Sequence, residues 1–456
     1  MLKPEGFVLA PTGQENSRLA TGWLLLALAS LVIAGIFTLL IVMSRTPGVE
    51  DIFPWVDFFH TALVVHVDLT VLVWFLSFAG VLWSLNSSGS HPVWGWGALL
   101  LCSTGTAIIV LSPFLGAGDP LMNNYIPVLQ DPLFLTGLGI FGLGFALLVL
   151  HTLSTSLPAL SGNSHGGALR FGLMSAALIS ALALLALAAS WYGVPESAMG
   201  KAYYEQLFWG AGHTIQFTHV QLMLVVWLWL STASNAPPRL TSRTAFLLFA
   251  LGAAPTLLTP YFYLACDVGS ACHVLGLTHL MQYGGGLAAL PLGAIVLLAM
   301  LRAGKAPDKA RGERAALVFS ILLFATGGII GFLISGSNVT IPAHYHGSIV
   351  AVTLAYMGFT YHILPGLGFR KPAGRLVRLQ PVLYGSGQLM HVLGLAWSGG
   401  YGVQRKTAGS AQGLESIQKI AGMGFMGLGG LIAIVGGILF LVIVFKAMWP
   451  QKTGKR

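Results

Sequence analysis

Apolar runs of about 20 residues recur along the whole chain, each long enough to cross a hydrocarbon layer of about 30 Å as a helix. Twelve are predicted, over roughly 20–43, 59–84, 94–116, 132–154, 169–192, 205–232, 243–265, 273–301, 315–335, 341–365, 380–398 and 418–447. Inside a bilayer the backbone must satisfy its own hydrogen bonds, so such a series leaves a helical bundle as the fold. With 55% hydrophobic and 8% charged residues over 456 positions, a large soluble protein is excluded. The expected fold class is all-α, a polytopic membrane bundle of about 12 transmembrane helices. No linker, charge block or soluble module interrupts the spans, so one integral-membrane domain over 1–456 is expected. The polar stretch to about residue 18 leads into a full-length span; no cleavable signal peptide is expected.

Orientation follows from where the cations fall. With the N-terminus inside, eighteen of the 23 Lys and Arg lie on inner segments; only Arg45, Lys201, Arg405, Lys406 and Lys419 lie outside. Both termini are then cytoplasmic. The +9 net charge reads as topology in membrane lipid and not as a nucleic-acid surface. Glycine clusters at 284–294 and 422–437 read as seams where helices approach closely. Cys102 falls inside an apolar run and reads as packing. Cys266 and Cys272 share one outer loop, where the compartment allows a disulfide. Neither CxxCH nor CxxC occurs, so any haem is held non-covalently.

Histidine within a span is costly and usually functional. The pair His344 and His346, at the start of the run IPAHYHGSIVAVTLAYMGFTYHIL, leaves one helix about 200° apart, on nearly opposite sides. That suits one helix serving two metal centres. Of the 13 histidines, His91, His151 and His165 lie in or near inner loops, and His362 and His391 are placed towards inner helix ends. The rest gather near outer ends: His60 and His66, His213 and His219, His273 and His279, His344 and His346. His66, His213, His344 and His346 lie about 3 to 8 residues below their helix starts and can share one membrane layer, at about 1.5 Å of rise per residue. A low-spin b-type haem needs two axial imidazoles, and a gas-binding haem needs one, with its far side open. His346 with a histidine of another helix suits the first, and His344 alone suits the second. His213 would then hold a second metal or a hydrogen bond beside the gas.

These residues resemble subunit I of the haem–copper oxidases and the related nitric oxide reductases, over nearly the whole chain. The resemblance implies that His344 ligates a high-spin haem and His346 a low-spin haem. VHVDLTVLVWFLSFAG (65–80) resembles the second-helix segment of the nitric oxide reductases, which puts His66 as the other low-spin ligand, with His60 as the fallback. WGAGHTIQF (209–217) resembles the helix whose histidine binds the active-site copper or non-haem iron, here His213. LAWSGGYGVQRK (395–406) resembles the segment whose basic pair binds haem propionates, here Arg405 and Lys406. The implied cofactors are two non-covalent b-type haems. A second active-site metal, copper or non-haem iron, is left open.

The family takes two further metal ligands from an adjacent histidine pair on the seventh helix. This seventh helix, TAFLLFALGAAPTLLTPYFYLACD, has no histidine, and the pair would fall near Thr259 and Pro260. Either Gln216, Tyr261, Tyr263 or His279 completes the site with His213, or the second metal is weak, different or missing. Phe217 stands where many oxygen reductases have a tyrosine and the nitric oxide reductases a glutamate. The only acid well inside a span is Asp68, and no lysine is mid-span, so proton pumping is not expected. The expectation is a respiratory gas reductase in a bacterial or archaeal cytoplasmic membrane. It would reduce nitric oxide to nitrous oxide, with oxygen to water as the alternative, electrons passing from the low-spin to the high-spin haem. The expected donor is a membrane-anchored cytochrome c or cupredoxin subunit, with quinol second. The rival from another class is a dihaem electron-transfer or gas-sensing protein; a transporter would leave the histidine layer unexplained.

Overall fold

Twelve long helices follow one another, and they occupy the twelve apolar runs read from the sequence. The computed structural model describes residues 6–9, 13–43, 58–116, 118–156, 164–405 and 413–450. The helices are α1 (Gln14–Met43), α2 (Phe58–Leu85), α3 (Pro92–Leu111), α4 (Pro132–Ser156), α5 (His165–Gly193), α6 (Gly200–Ala233), α7 (Ser242–Ala265), α8 (Ala271–Ala303), α9 (Arg311–Phe332), α10 (Thr340–Ile363), α11 (Arg375–Gly400) and α12 (Ile417–Met448). Eleven are long and apolar enough to span a membrane. The remaining one, α11, carries Arg375, Arg378, Gln380, Gln388 and His391, of which Gln380 is fully buried and bonded within the protein. The Tyr361 hydroxyl donates to Gln380 Oε1 (2.8 Å), and Gln380 Nε2 donates to the Gly436 carbonyl (3.2 Å).

Three helices are interrupted. In α2 a wide turn of π geometry over Asp68–Val73 begins two residues after His66. Such turns re-aim side chains and concentrate at functional sites. In α7, Pro255 sits in a tight 3₁₀ turn, Ala254–Leu258. In α8 the chain turns over 285–288, within the first glycine cluster. That cluster therefore marks a helix break as well as the expected close packing: a β-carbon on Gly284 would lie 2.8 Å from Pro255 Cβ, and one on Gly293 3.1 Å from the Trp227 ring. Serine caps begin α5, α8 and α12: Ser164, Ser270 and Ser416 accept from the backbone N–H three residues on.

The chain packs as two compact units, one of Leu9–Leu222 with Ser242–Gly285, the other of Met1–Val8, Met223–Thr241 and Gly286–Arg456. In the first, Trp23 stands over Gly80, and the Trp83 indole donates to the Leu173 carbonyl (2.9 Å). Gly144 lets α4 lie against Cys102, a buried free thiol packed as expected. Cys266 and Cys272 are joined in a disulfide between α7 and α8.

In the second unit, α9 and α10 meet at Gly327 and Gly347, where a β-carbon on Gly327 would lie 2.7 Å from the Ser348 nitrogen. The second glycine cluster is a seam as expected. β-Carbons at Gly387, Gly429 and Gly436 would lie 2.5–2.6 Å from backbone nitrogens of the facing helix. Gly429→Val is expected to destabilise the purified protein by about 1–3 kcal/mol through overpacking. Gly427→Val, with nothing within 4 Å of the added β-carbon, serves as the control. Thermal unfolding in detergent checks the difference.

Candidate functional site

The two histidines of α10 do leave it on different sides, each held by a backbone carbonyl. His344 Nδ1 lies 2.8 Å from the Gly327 carbonyl of α9, and its ring lies over Gly331, where a β-carbon would come within 2.7 Å of Nδ1. His346 Nδ1 lies 2.8 Å from the Pro342 carbonyl, one turn back on α10. A carbonyl only accepts, so each Nδ1 carries the proton and the metal-binding lone pair is on Nε2. This is the carbonyl support that ligating histidines generally use.

His66 of α2 follows the same rule in the other unit. Its Nδ1 donates to the Ala34 carbonyl (3.0 Å), with the Thr38 hydroxyl 3.2 Å away, which again leaves the lone pair on Nε2. The donor chemistry of His66, His344 and His346 thus fits axial haem ligands. The fallback, His60, packs edge-on against Phe59 with ring centroids 4.9 Å apart.

Sequence reasoning put His391 at an inner helix end; the structure corrects this. Its ring lies 5.1 Å from that of His346, inclined at 50°, and its Nδ1 donates to the Met426 carbonyl (3.1 Å). The signal was available. His391 lies nearer Gly400 than Arg375, and adjacent antiparallel helices bring the end of α11 beside the start of α10 that carries His346.

Arg405 sits just past the β-bridge between Asn338 and Gln404, and Val339 N–H donates to the Val403 carbonyl (3.0 Å). These bonds fix the post-α11 segment on the start of α10, little more than one turn from His344. Lys406 lies outside the described residues.

On α6 the segment WGAGH is a surface of notches. A β-carbon at Gly210 would strike the Tyr263 ring, 2.8 Å from Cζ, and one at Gly212 would strike the Tyr125 ring, 2.8 Å from Cδ2. Tyr125 comes from the α3–α4 connection, a hairpin in which Pro120–Leu121 pairs with Val128–Leu129. At its tip Asn123 Oδ1 accepts from the N–H groups of Tyr125 (3.0 Å) and Ile126 (2.9 Å), an Asx turn. Asn124 ties the tip to Glu205 of α6, its backbone N–H donating at 3.1 Å.

The Tyr125 hydroxyl reaches His213, 3.0 Å from Nε2 and 2.7 Å from Nδ1. His213 Nδ1 is also 2.9 Å from the Trp209 carbonyl, which fixes the proton there, and the phenol oxygen stands against the imidazole beside both nitrogens. Burial, with the nearby Glu205 carboxylate second, pushes the Tyr125 phenol well above its usual range, so it remains a donor.

Of the residues near the expected further ligands of His213, Thr259 and Tyr263 have partners of their own. Thr259 exchanges a hydrogen bond with Thr214 (Oγ1–Oγ1 3.1 Å). Tyr263 bonds Ser190 (2.7 Å) and packs edge-on to His273. Tyr261 and His279 are exposed, and Gln216 is half-buried on α6. Phe217 belongs to an apolar cluster with Ile179, Leu277 and Leu280. Among the described residues no group of three or more His, Cys, Asp or Glu side chains is gathered to hold a metal ion. Sequence reasoning missed Tyr125 altogether; only the paired glycines of WGAGH hinted that something bulky lies against α6.

Comparison with known proteins agrees with the fold. Residues 18–439 match the family described as Cytochrome C and Quinol oxidase polypeptide I. An uncharacterised protein of Rickettsia prowazekii (strain Madrid E) is 29% identical, the match covering 96% of this chain and 97% of that one. An uncharacterised protein of Aquifex aeolicus (strain VF5) is also 29% identical, over 79% of this chain and 88% of its own. The cryo-electron microscopy structure of a heme-copper terminal oxidase dimer superposes with a TM-score of 0.72 at 16% identity, over 96% of this chain and 85% of that one. At that identity the likeness is one of fold.

Proposed function

The chain belongs to the cytochrome c and quinol oxidase polypeptide I family, and on that premise we propose that it is a respiratory gas reductase that converts nitric oxide to nitrous oxide. Membership makes it a multi-pass membrane oxidoreductase of the haem–copper oxidase kind. The observation that carries the finer reading is the His344–Tyr345–His346 segment, whose imidazoles turn to different neighbours, each with its lone pair on Nε2. Two non-covalent b-type haems are assigned on the family's motif: a low-spin haem on His66 and His346, and a high-spin haem on His344. When bound, the haems supply one-electron transfer from the first to the second and an open iron position for a small gas. Arg405 and Lys406 are assigned to the propionates, as cations that pair well with carboxylates.

The gas assignment rests on the second-helix segment around His66 and on the lack of mid-span lysine or further acids for pumping. One observation favours oxygen as a second reading: the phenol missing at Phe217 is supplied to His213 by Tyr125. The proposed location is a bacterial or archaeal cytoplasmic membrane with both termini inside. The donor is a membrane-anchored cytochrome c or cupredoxin subunit, quinol being second.

The test is turnover by the purified, haem-loaded protein with ascorbate and a one-electron mediator. Nitric oxide consumption with nitrous oxide formation, faster than oxygen uptake, is expected. Faster oxygen uptake would replace the first reading by the second. Full haem with neither gas consumed would turn the assignment to electron transfer or sensing.

A further inference from the structure

We infer that this chain holds a phenol–imidazole pair, Tyr125 with His213, at the α6 position where its family holds a second metal ion. The inference rests on the reductase reading only in taking that position as part of a reaction site.

Three independent observations carry it. The first is the crowded imidazole. With Nδ1–H donating to the Trp209 carbonyl, Nε2 is the one nitrogen of His213 with a lone pair, and the Tyr125 hydroxyl stands against the ring, 2.7 Å from Nδ1 and 3.0 Å from Nε2. A metal at Nε2 would have to be accommodated beside that phenol.

The second is the donor set on the facing helix. Where the family has adjacent imidazoles, α7 offers Thr259, already bonded to Thr214, followed by Pro260, which has no ligand atom in its side chain. Copper and ferrous iron favour imidazole, and neutral hydroxyls do not replace two of them. Tyr263 is engaged by Ser190, and His273 packs against Tyr263.

The third is that the phenol is built in from several directions. The Asn123 turn shapes the hairpin tip, Asn124 and Glu205 anchor it to α6, and Gly212 opens the notch that receives the ring. The Tyr125 ring also stands edge-on to Trp209, with centroids 5.8 Å apart at 88°. Moving the phenol aside for a metal would undo all of these contacts. The position therefore offers a neutral hydroxyl, able to hydrogen-bond, where the family places a Lewis acid.

Metal counting on the intact protein tests this. The haem-loaded protein is dialysed against excess copper(I) or ferrous iron and desalted, and copper, iron and haem are measured per chain. The expected result is no copper and no iron beyond that of haem. One additional metal ion per chain that disappears in His213→Ala would overturn the proposal; His213→Gln replaces that variant should it fail to accumulate. An additional ion that survives the substitution lies elsewhere, and the pair stands. As a second readout, the ultraviolet resonance Raman difference between wild type and Tyr125→Phe should contain a phenol whose hydroxyl donates a hydrogen bond. A difference showing an unbonded phenol would also overturn it. The reductase reading fails on different evidence, namely haem-loaded protein that turns over neither gas whatever its metal content.

Discussion

His344→Ala is expected to abolish the carbon monoxide difference spectrum of the reduced protein and its gas turnover, while the low-spin haem spectrum persists. A gas-binding haem has one protein ligand, so no second imidazole compensates for its loss. The site is also committed locally. His344 Nδ1–H is engaged by the Gly327 carbonyl, and Gly331 leaves the space the ring fills. Gly331→Leu should therefore mimic the ligand deletion in part, by pushing the ring from its seat. The bond to a backbone carbonyl survives most side-chain changes, so the ring must be displaced sterically. Haem per chain, by pyridine haemochrome, and the carbon monoxide spectrum check both variants. Full high-spin haem in His344→Ala would refute the assignment. The pattern expected of His346→Ala is the opposite: loss of the low-spin spectrum with carbon monoxide binding retained.

The second large effect is expected at a residue with no side chain. Gly212→Val should destabilise the protein by about 1–3 kcal/mol through overpacking and should expel the Tyr125 ring. The added β-carbon would lie within 2.8 Å of the ring at Cδ2 and closer still to its other atoms. The notch is in the backbone of α6, so the ring must yield, and with it the hydrogen bond to His213 and the anchored hairpin tip. Two readouts follow together: a lower unfolding temperature and loss of the hydrogen-bonded phenol signal that Tyr125→Phe also removes. Gly142→Ala on α4, where a β-carbon meets nothing within 4 Å, should not lower stability and can raise it through helix propensity. Equal loss in both variants would show that the effect at Gly212 is generic.

Much of this protein was legible in its residues, for identifiable reasons. Twelve helices follow from run length, because a bilayer permits few other solutions. Even α11, the least apolar, was found by its run, although the bonds of Gln380 to Tyr361 and Gly436 are what let that side chain stay inside. The divergence of His344 and His346 is a property of helix pitch and needed no partner to be seen. The disulfide was open on sequence, since spacing and compartment permit it without fixing distance. The first glycine cluster was legible as close packing but not as the break in α8, because glycine serves both.

What the sequence determined by itself was the set of helices and their order, since both depend on local length and periodicity. Only the tertiary structure decided which side chains meet: Tyr125 with His213, 88 residues apart, and His346 with His391 on the next helix but 5.1 Å away. No periodicity encodes such meetings. They arise because a short hairpin folds back onto α6, and because glycines at the contact let backbones and rings approach where any other residue would hold them apart.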